Sequence, residues 1–192
     1  MYVEKETGTE RTYAVEKVID DIPGGGTIVK EDFPSTTTVL KEGAVVGEDE
    51  DGKYHLVKTA KAHADSATND IQIKKEHDFN VGDFVTDAGL TLKAYAIVSI
   101  DTSNEDYDVI DVGTALGSVT ENMILVQAAA EAAVAGEGAF KYTPEGVTTC
   151  SVDLTVDNQG CGIAVRARVR EEIIPYFIDA NVKALLPFVQ FV

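Results

Sequence analysis

Tryptophan is absent from this 192-residue chain, and cysteine and methionine occur twice each. Two cysteines, Cys150 and Cys161, are too few for a disulfide scaffold. No apolar run approaches the ~18 residues that a membrane span needs. The opening residues, Met1-Tyr2-Val3-Glu4-Lys5-Glu6, lack the basic and apolar regions of a secretory signal, so use without signal-directed export is expected. Positive charge is also scarce: 16 Lys and Arg stand against 33 Asp and Glu, for a net charge of -17. Such a balance repels nucleic-acid phosphates and anionic lipid, so neither nucleic acid nor a membrane is expected as a partner. What is present suits a folded domain of ordinary size, with 44% of residues hydrophobic.

Residues 1–35 are polar and turn-rich, with Pro23-Gly24-Gly25-Gly26 and Phe33-Pro34-Ser35 forbidding a continuous helix. They read as an extended N-terminal arm, with Tyr13, Val15, Val18 and Ile19 available for contact. From residue 36 to 192 the pattern becomes short apolar runs separated by turn residues about every ten positions, the mark of an all-β domain. Thr36–Leu40, Ala44–Val46 and Tyr54–Val57 are such runs, with turns at Lys41-Glu42-Gly43 and Glu48–Gly52. Ile71 and Ile73 alternate with polar neighbours, Val81-Gly82-Asp83 turns into Phe84-Val85, and two strands flank the polar loop Asp101–Asp106. Met123–Val126 reads as a strand, followed by a short helical or irregular alanine-rich piece. Asp179 is placed to cap a short helix over Ala180–Leu186 that Pro187 stops. The expected architecture is mainly β, a compact antiparallel sandwich or barrel-like domain with an extended N-terminal arm and minor helix.

Strict alternation runs through Cys150, Val152, Leu154 and Val156, and resumes after Asp157-Asn158-Gln159-Gly160 with Cys161, Ile163, Val165, Ala167 and Val169. The pattern predicts a β-hairpin, with Val152 facing Val165 and Val156 facing Cys161. In that register the cysteines lie on the order of 20 Å apart, beyond disulfide reach, and serve as small buried hydrophobes.

No motif in the sequence specifies a chemistry. Gly24-Gly25-Gly26 fits neither a phosphate-binding loop nor a dinucleotide fingerprint, and no G-x-S-x-G elbow occurs. His55, His63 and His77 are spaced by 8 and 14 residues with no cysteine nearby, which suits surface or strand histidines better than zinc ligands. The acidic turn at Glu48–Asp51 fails the EF-hand spacing and reads as a solvated hairpin tip. Carboxylate catalysis of a hydrolytic kind has no favoured pair, because the acids sit mainly in turns. No catalytic, cofactor or metal site is expected, and the chain does not read as an enzyme.

A contact surface does emerge. Three of the four arginines, Arg166, Arg168 and Arg170, fall on the polar face of one strand. Arginine suits forked pairing with carboxylates at interfaces. The stripe either grips a neighbouring copy or another protein, or pairs with the chain's own Asp153, Glu171 or Glu172. The chain closes on Phe188-Val189-Gln190-Phe191-Val192, more apolar than chain ends usually are. Phe188, Phe191 and Val192 therefore join the arginines as expected interaction residues.

Several segments carry a resemblance to a known group. They are Tyr13-Ala14-Val15-Glu16-Lys17-Val18-Ile19-Asp20-Asp21-Ile22-Pro23, Asp32-Phe33-Pro34-Ser35-Thr36-Thr37-Thr38-Val39-Leu40-Lys41-Glu42-Gly43, Gly52-Lys53-Tyr54-His55-Leu56-Val57-Lys58, Val81-Gly82-Asp83-Phe84-Val85, and the close from Val169-Arg170-Glu171 to Phe191-Val192. With these the chain resembles head-decoration or head-fibre proteins of tailed phages of gut Bacteroidales, crAss-like phages included. The matches span most of the chain and leave residues 128–140 least covered. The resemblance implies an accessory head protein bound to the major capsid protein as a homo-oligomer, a trimer being the usual form. It implies a place on the virion head surface, with the host cytoplasm as the site of assembly. The alternative expectation is a receptor- or glycan-binding fibre or adhesin module.

Overall fold

The computed structural model describes residues 13–157 and 159–192. The chain is mainly β, with curled sheets that form a half-barrel and, among the described residues, one short helix. The largest sheet has eight strands. From one edge it runs β1 (Val15–Asp21), β16 (Ile163–Val169), β13 (Gly146–Thr148), β4 (Val45–Glu48), β5 (Tyr54–Leu56), β2 (Gly26–Ile28) and β15 (Gln159–Cys161), with β17 (Val189–Phe191) also pairing β16. A four-stranded sheet orders β6 (Thr59–Lys61), β12 (Ile124–Ala128), β8 (Phe84–Asp87) and β9 (Tyr95–Ala96). A three-stranded sheet orders β10 (Ser99–Asp101), β11 (Tyr107–Asp111) and β7 (Asp70–Lys74), and β14 (Val152–Asp153) pairs β3 (Val39–Leu40).

Alternation builds these sheets as expected. In β7, Ile71 and Ile73 are fully buried while Asp70, Gln72 and Lys74 face outward. With Ile110, Leu116 and Leu125 they fill one apolar cluster. Two others lie under the large sheet, one around Leu40, Leu56 and Ile163, the other around Val147, Val169 and Val182. The β4–β5 turn is closed by the Asp49 carboxylate, which accepts from the backbone N–H of Asp51 at 2.9 Å and of Lys53 at 2.8 Å. Gly52 takes the left-handed φ of 76° that this turn requires. The helix α1 (Ala180–Leu185) starts where expected: Asp179 Oδ1 accepts from Asn181 N at 3.0 Å and Val182 N at 2.9 Å. After β12 the alanine-rich segment is irregular, tied back by the bridges Ala94–Ala132 and Ala128–Phe140.

Two expectations are corrected. The described part of the arm is extended but not detached. Val15–Asp21 pairs antiparallel with β16, Gly26–Ile28 lies between β5 and β15, and Ile28 and Phe33 are core residues. Residues 1–12 of the expected arm lie outside the described residues.

The second correction concerns the hairpin, which does not form. β14 pairs with β3, β15 with β2, and β16 with β1, β13 and β17. Alternation reports which side chains face inward, not which strand lies alongside. With the hairpin register gone, Cys150 and Cys161 sit with Cα atoms 6.2 Å apart and form a disulfide.

Candidate functional site

The parallel pairing of β17 with β16 sets Ala167, Arg168 and Val169 opposite Val189, Gln190 and Phe191. Opposed residues share a face, so Arg168 and Gln190 point to solvent while Val169 and Phe191 point inward. The same register sets Arg166 beside Phe188 and Arg170 beside Val192. Arg166 and Phe188 indeed line one groove, and the end is tied by hydrogen bonds from Val192 N to Val169 O and from Glu171 N to Val192 O, each 2.9 Å. Five of the six expected interaction residues, Arg166, Arg168, Arg170, Phe188 and Val192, thus form one amphipathic face. Phe188 is 70% exposed and Val192 45% exposed. Phe191 is the exception: it packs half-buried against the cluster under β16, with Lys183 Nζ 5.6 Å from its ring centre.

The carboxylate that meets the arginines is Glu16 on β1, rather than Asp153, Glu171 or Glu172. Arg168 Nε donates to Glu16 Oε2 at 2.8 Å and Arg170 Nη2 to Glu16 Oε1 at 3.4 Å. Glu171 pairs with Lys183 instead, at 2.6 Å. Exposed pairs of this kind contribute ~0–1 kcal/mol, so the stripe is poorly explained as a stability device. Arg166 stands opposite Asp20 in the β1–β16 register. Beside it a groove of about 530 Å³ opens where β16 passes from β13 to β17, walled by Val165, Leu185, Pro187 and Phe188. Leu185 is 41% exposed at its lip. Large apolar side chains exposed together beside arginine are what a protein-docking surface presents.

The β1 edge beside this face is poorly suited to pairing with an added strand. The β1 register is interrupted between Val15 and Lys17, between Val18 and Asp20, and again before Asp21. Such bulges, with Glu16, Lys17, Asp20 and Asp21 on the same strand, blunt an edge against strand pairing.

A second constellation lies inside the fold, and most of its partners come from segments distant in the chain. His55 is buried, with Nδ1 against an Asp32 carboxylate oxygen and Nε2 2.9 Å from Asp49 Oδ2. Its ring stacks on Tyr142 at 3.9 Å between centres. Nearby, Lys58 Nζ donates to Asp83 Oδ2 at 2.8 Å, and Gln127 Nε2 donates to Asp83 Oδ1 at 2.7 Å. The Lys58–Asp83–Gln127 group links the segment after β5 to β12 of the four-stranded sheet, while His55 ties residues 32, 49 and 142 around β5. The remaining histidines are also structural: His63 stacks on Tyr107, and His77 lies 3.2 Å from Asp108. Among the described residues no group of three or more acidic, histidine or cysteine side chains is placed to hold a metal ion.

The His55 clamp gives stability a pH signature. Burial works to lower the His55 pKa, but the two carboxylates outweigh it and hold the value above 6.5. Burial works to raise the Asp32 pKa, but the His55 contact and the neighbouring cations bring it below 3.8; Asp49 is lowered chiefly by His55. The His55 contribution is therefore fully present below pH 6.5 and is lost as pH rises through the raised folded-state value. The two aspartate contributions are present above pH 3.8 and are lost as pH falls through their lowered values. Thermal unfolding followed from about pH 5 to about pH 9 is expected to show stability declining on the alkaline side, and His55→Gln is expected to flatten that decline. An unchanged decline in the variant would show that another group is responsible.

No known protein family, curated protein or solved structure significantly matches the chain.

Proposed function

We propose that the chain is an accessory protein of a tailed-phage head, a decoration or head-fibre subunit that binds the major capsid protein and acts by docking rather than by chemistry. The observation that carries this reading is the face that joins Arg166, Arg168 and Arg170 to Phe188 and Val192. It combines exposed apolar side chains with guanidinium groups on a protein whose net charge is -17. Like copies repel over most of such a surface, and the guanidinium groups of this face offset part of that repulsion. The resemblance to phage head proteins supplies the particular partner, and self-association as a trimer belongs to the same proposal.

Binding of the purified protein to capsids assembled from the cognate major capsid protein tests it. Co-sedimentation is expected for the wild type. Phe188→Asp is expected to weaken binding by tenfold or more, the ~1.4 kcal/mol or above that a central aromatic contributes. Its melting temperature should stay unchanged, because Phe188 is 70% exposed. Absence of wild-type binding to any capsid form would overturn the proposal.

A further inference from the structure

A cavity of about 230 Å³ opens where residues 37–41, the bend at residues 76–78 and the Pro175–Tyr176 segment meet. It lies at the seam between the Ile71–Ile110 cluster and the Leu40–Ile163 cluster, the kind of place where small-ligand sites form. Nothing in the docking face uses it.

Asp78 lines this cavity, and burial holds its carboxyl above the ordinary range. One of its oxygens accepts from the Thr37 hydroxyl at 3.1 Å. The other has no donor among the described residues. It is not sealed either, since the sealed side-chain oxygens without a partner are those of Thr59 and Gln127. It is thus accessible, on a side chain that lines the cavity. His77 contributes little there. Its Nδ1 accepts from Phe79 N at 3.2 Å, which leaves the proton on Nε2, 3.2 Å from Asp108 Oδ2.

Tyr176 adds a donor. Its hydroxyl oxygen accepts from Lys41 N at 3.0 Å, and a phenol has one proton of its own still to give. Burial pushes its pKa up, so that proton is retained at neutral pH. At the rim stand the Lys41 side chain and Glu76, the latter set there by a left-handed φ of 66°. Val39 and Pro175 are apolar walls.

Two donors and two acceptors of mixed charge therefore surround a small space with apolar sides. An anion would face the Asp78 and Glu76 carboxylates, and a cation would face the Lys41 ammonium. An apolar ligand would leave the open Asp78 oxygen unpaired at a cost. A sugar ring fits all three constraints: each hydroxyl both donates and accepts, the ring carries C–H faces, and a single ring suits the volume. We propose that this cavity binds one neutral monosaccharide unit, with the Asp78 carboxyl accepting from a ring hydroxyl and Tyr176 donating to another.

Amide NMR titration of the whole chain with a panel of neutral monosaccharides, and with oligosaccharides ending in the same units, tests this. At least one sugar is expected to shift amides within 37–41, 76–78 and 175–176 with millimolar affinity. Binding by the free sugar would assign the site to a soluble ligand, and binding only by the oligosaccharide to a glycan end; either supports the site. Asp78→Asn is expected to weaken binding by about tenfold, as a neutral amide oxygen replaces a charged acceptor and an NH2 donor replaces the second oxygen. Tyr176→Phe, which keeps the ring packing, is expected to weaken it severalfold. No shift in these amides at high sugar concentration would overturn the proposal. So would shifts produced by methylammonium or acetate but not by sugars, or sugar-induced shifts that Asp78→Asn leaves intact.

Discussion

Lys58→Ala is expected to lower the unfolding free energy by about 3–5 kcal/mol, the range for removing one partner of a buried ion pair. Lys58 is 1% exposed, one of the most deeply buried side chains in the protein. Its ammonium meets Asp83 Oδ2 at 2.8 Å, and the same oxygen accepts from Asn80 N at 2.8 Å. Gln127 occupies the other oxygen at 2.7 Å. Removal of the cation leaves a carboxylate with two neutral donors and no opposing charge, in the place where the β5–β6 link meets β8 and β12. It also leaves the space of three methylenes and the ammonium unfilled. Lys58→Met refills the space without restoring the charge, so it is expected to recover only part of the loss. Urea unfolding of both variants measures the difference. A loss below about 1 kcal/mol for Lys58→Ala would mean that the pair is solvated and that the two sheets are held by apolar packing alone.

Cys161→Ser is expected to cost about 3 kcal/mol. The disulfide to Cys150 spans 11 positions, and closing a loop of that length removes about this much chain entropy from the unfolded state. The bridge ties the edge strand β15 to the segment that follows β13, and Cys161 is 5% exposed. The unreduced native protein should yield no reactive thiol with a thiol reagent under denaturing conditions, and two after reduction. Reduction, Cys150→Ser and Cys161→Ser should all lower the melting temperature by similar amounts, and the double variant should add little to either single one. Two free thiols in the unreduced protein would remove the bridge from the account.

Much of the fold was legible where a local rule decides the outcome. Period-2 alternation placed Ile71 and Ile73 inside. Left-handed glycine turns fell at Gly43, Gly52 and Gly82, and the Asp179 cap started the one helix. The arginine stripe was legible for the same reason, because Arg166, Arg168 and Arg170 share a strand face by spacing alone. Phe188 and Val192 join them through the parallel register of β17, which no local pattern encodes. Strand partners were the main loss. The alternation around residues 150–169 suits a hairpin as well as it suits three strands paired elsewhere, and the cysteine distance depended on that choice. Buried charge was the other. Lys58 follows Val57 and precedes Thr59 like any lysine at a strand end, and His55 reads as a strand residue with one solvent face. In the fold Tyr54, His55 and Leu56 are all buried because β5 is covered on both sides. The carboxylates that receive these cations come from positions 25 residues away for Lys58, and 23 and 6 for His55, brought close by tertiary packing.

The docking face itself is tested most directly by oxidative footprinting of the protein, free and bound to capsids. Phe188 and Val192 are expected to lose most of their reactivity on binding. Val81 and Val98, 61% and 58% exposed and outside this face, are expected to keep theirs. Protection of Val81 and Val98 with Phe188 unchanged would contradict the account and place the contact elsewhere on the domain.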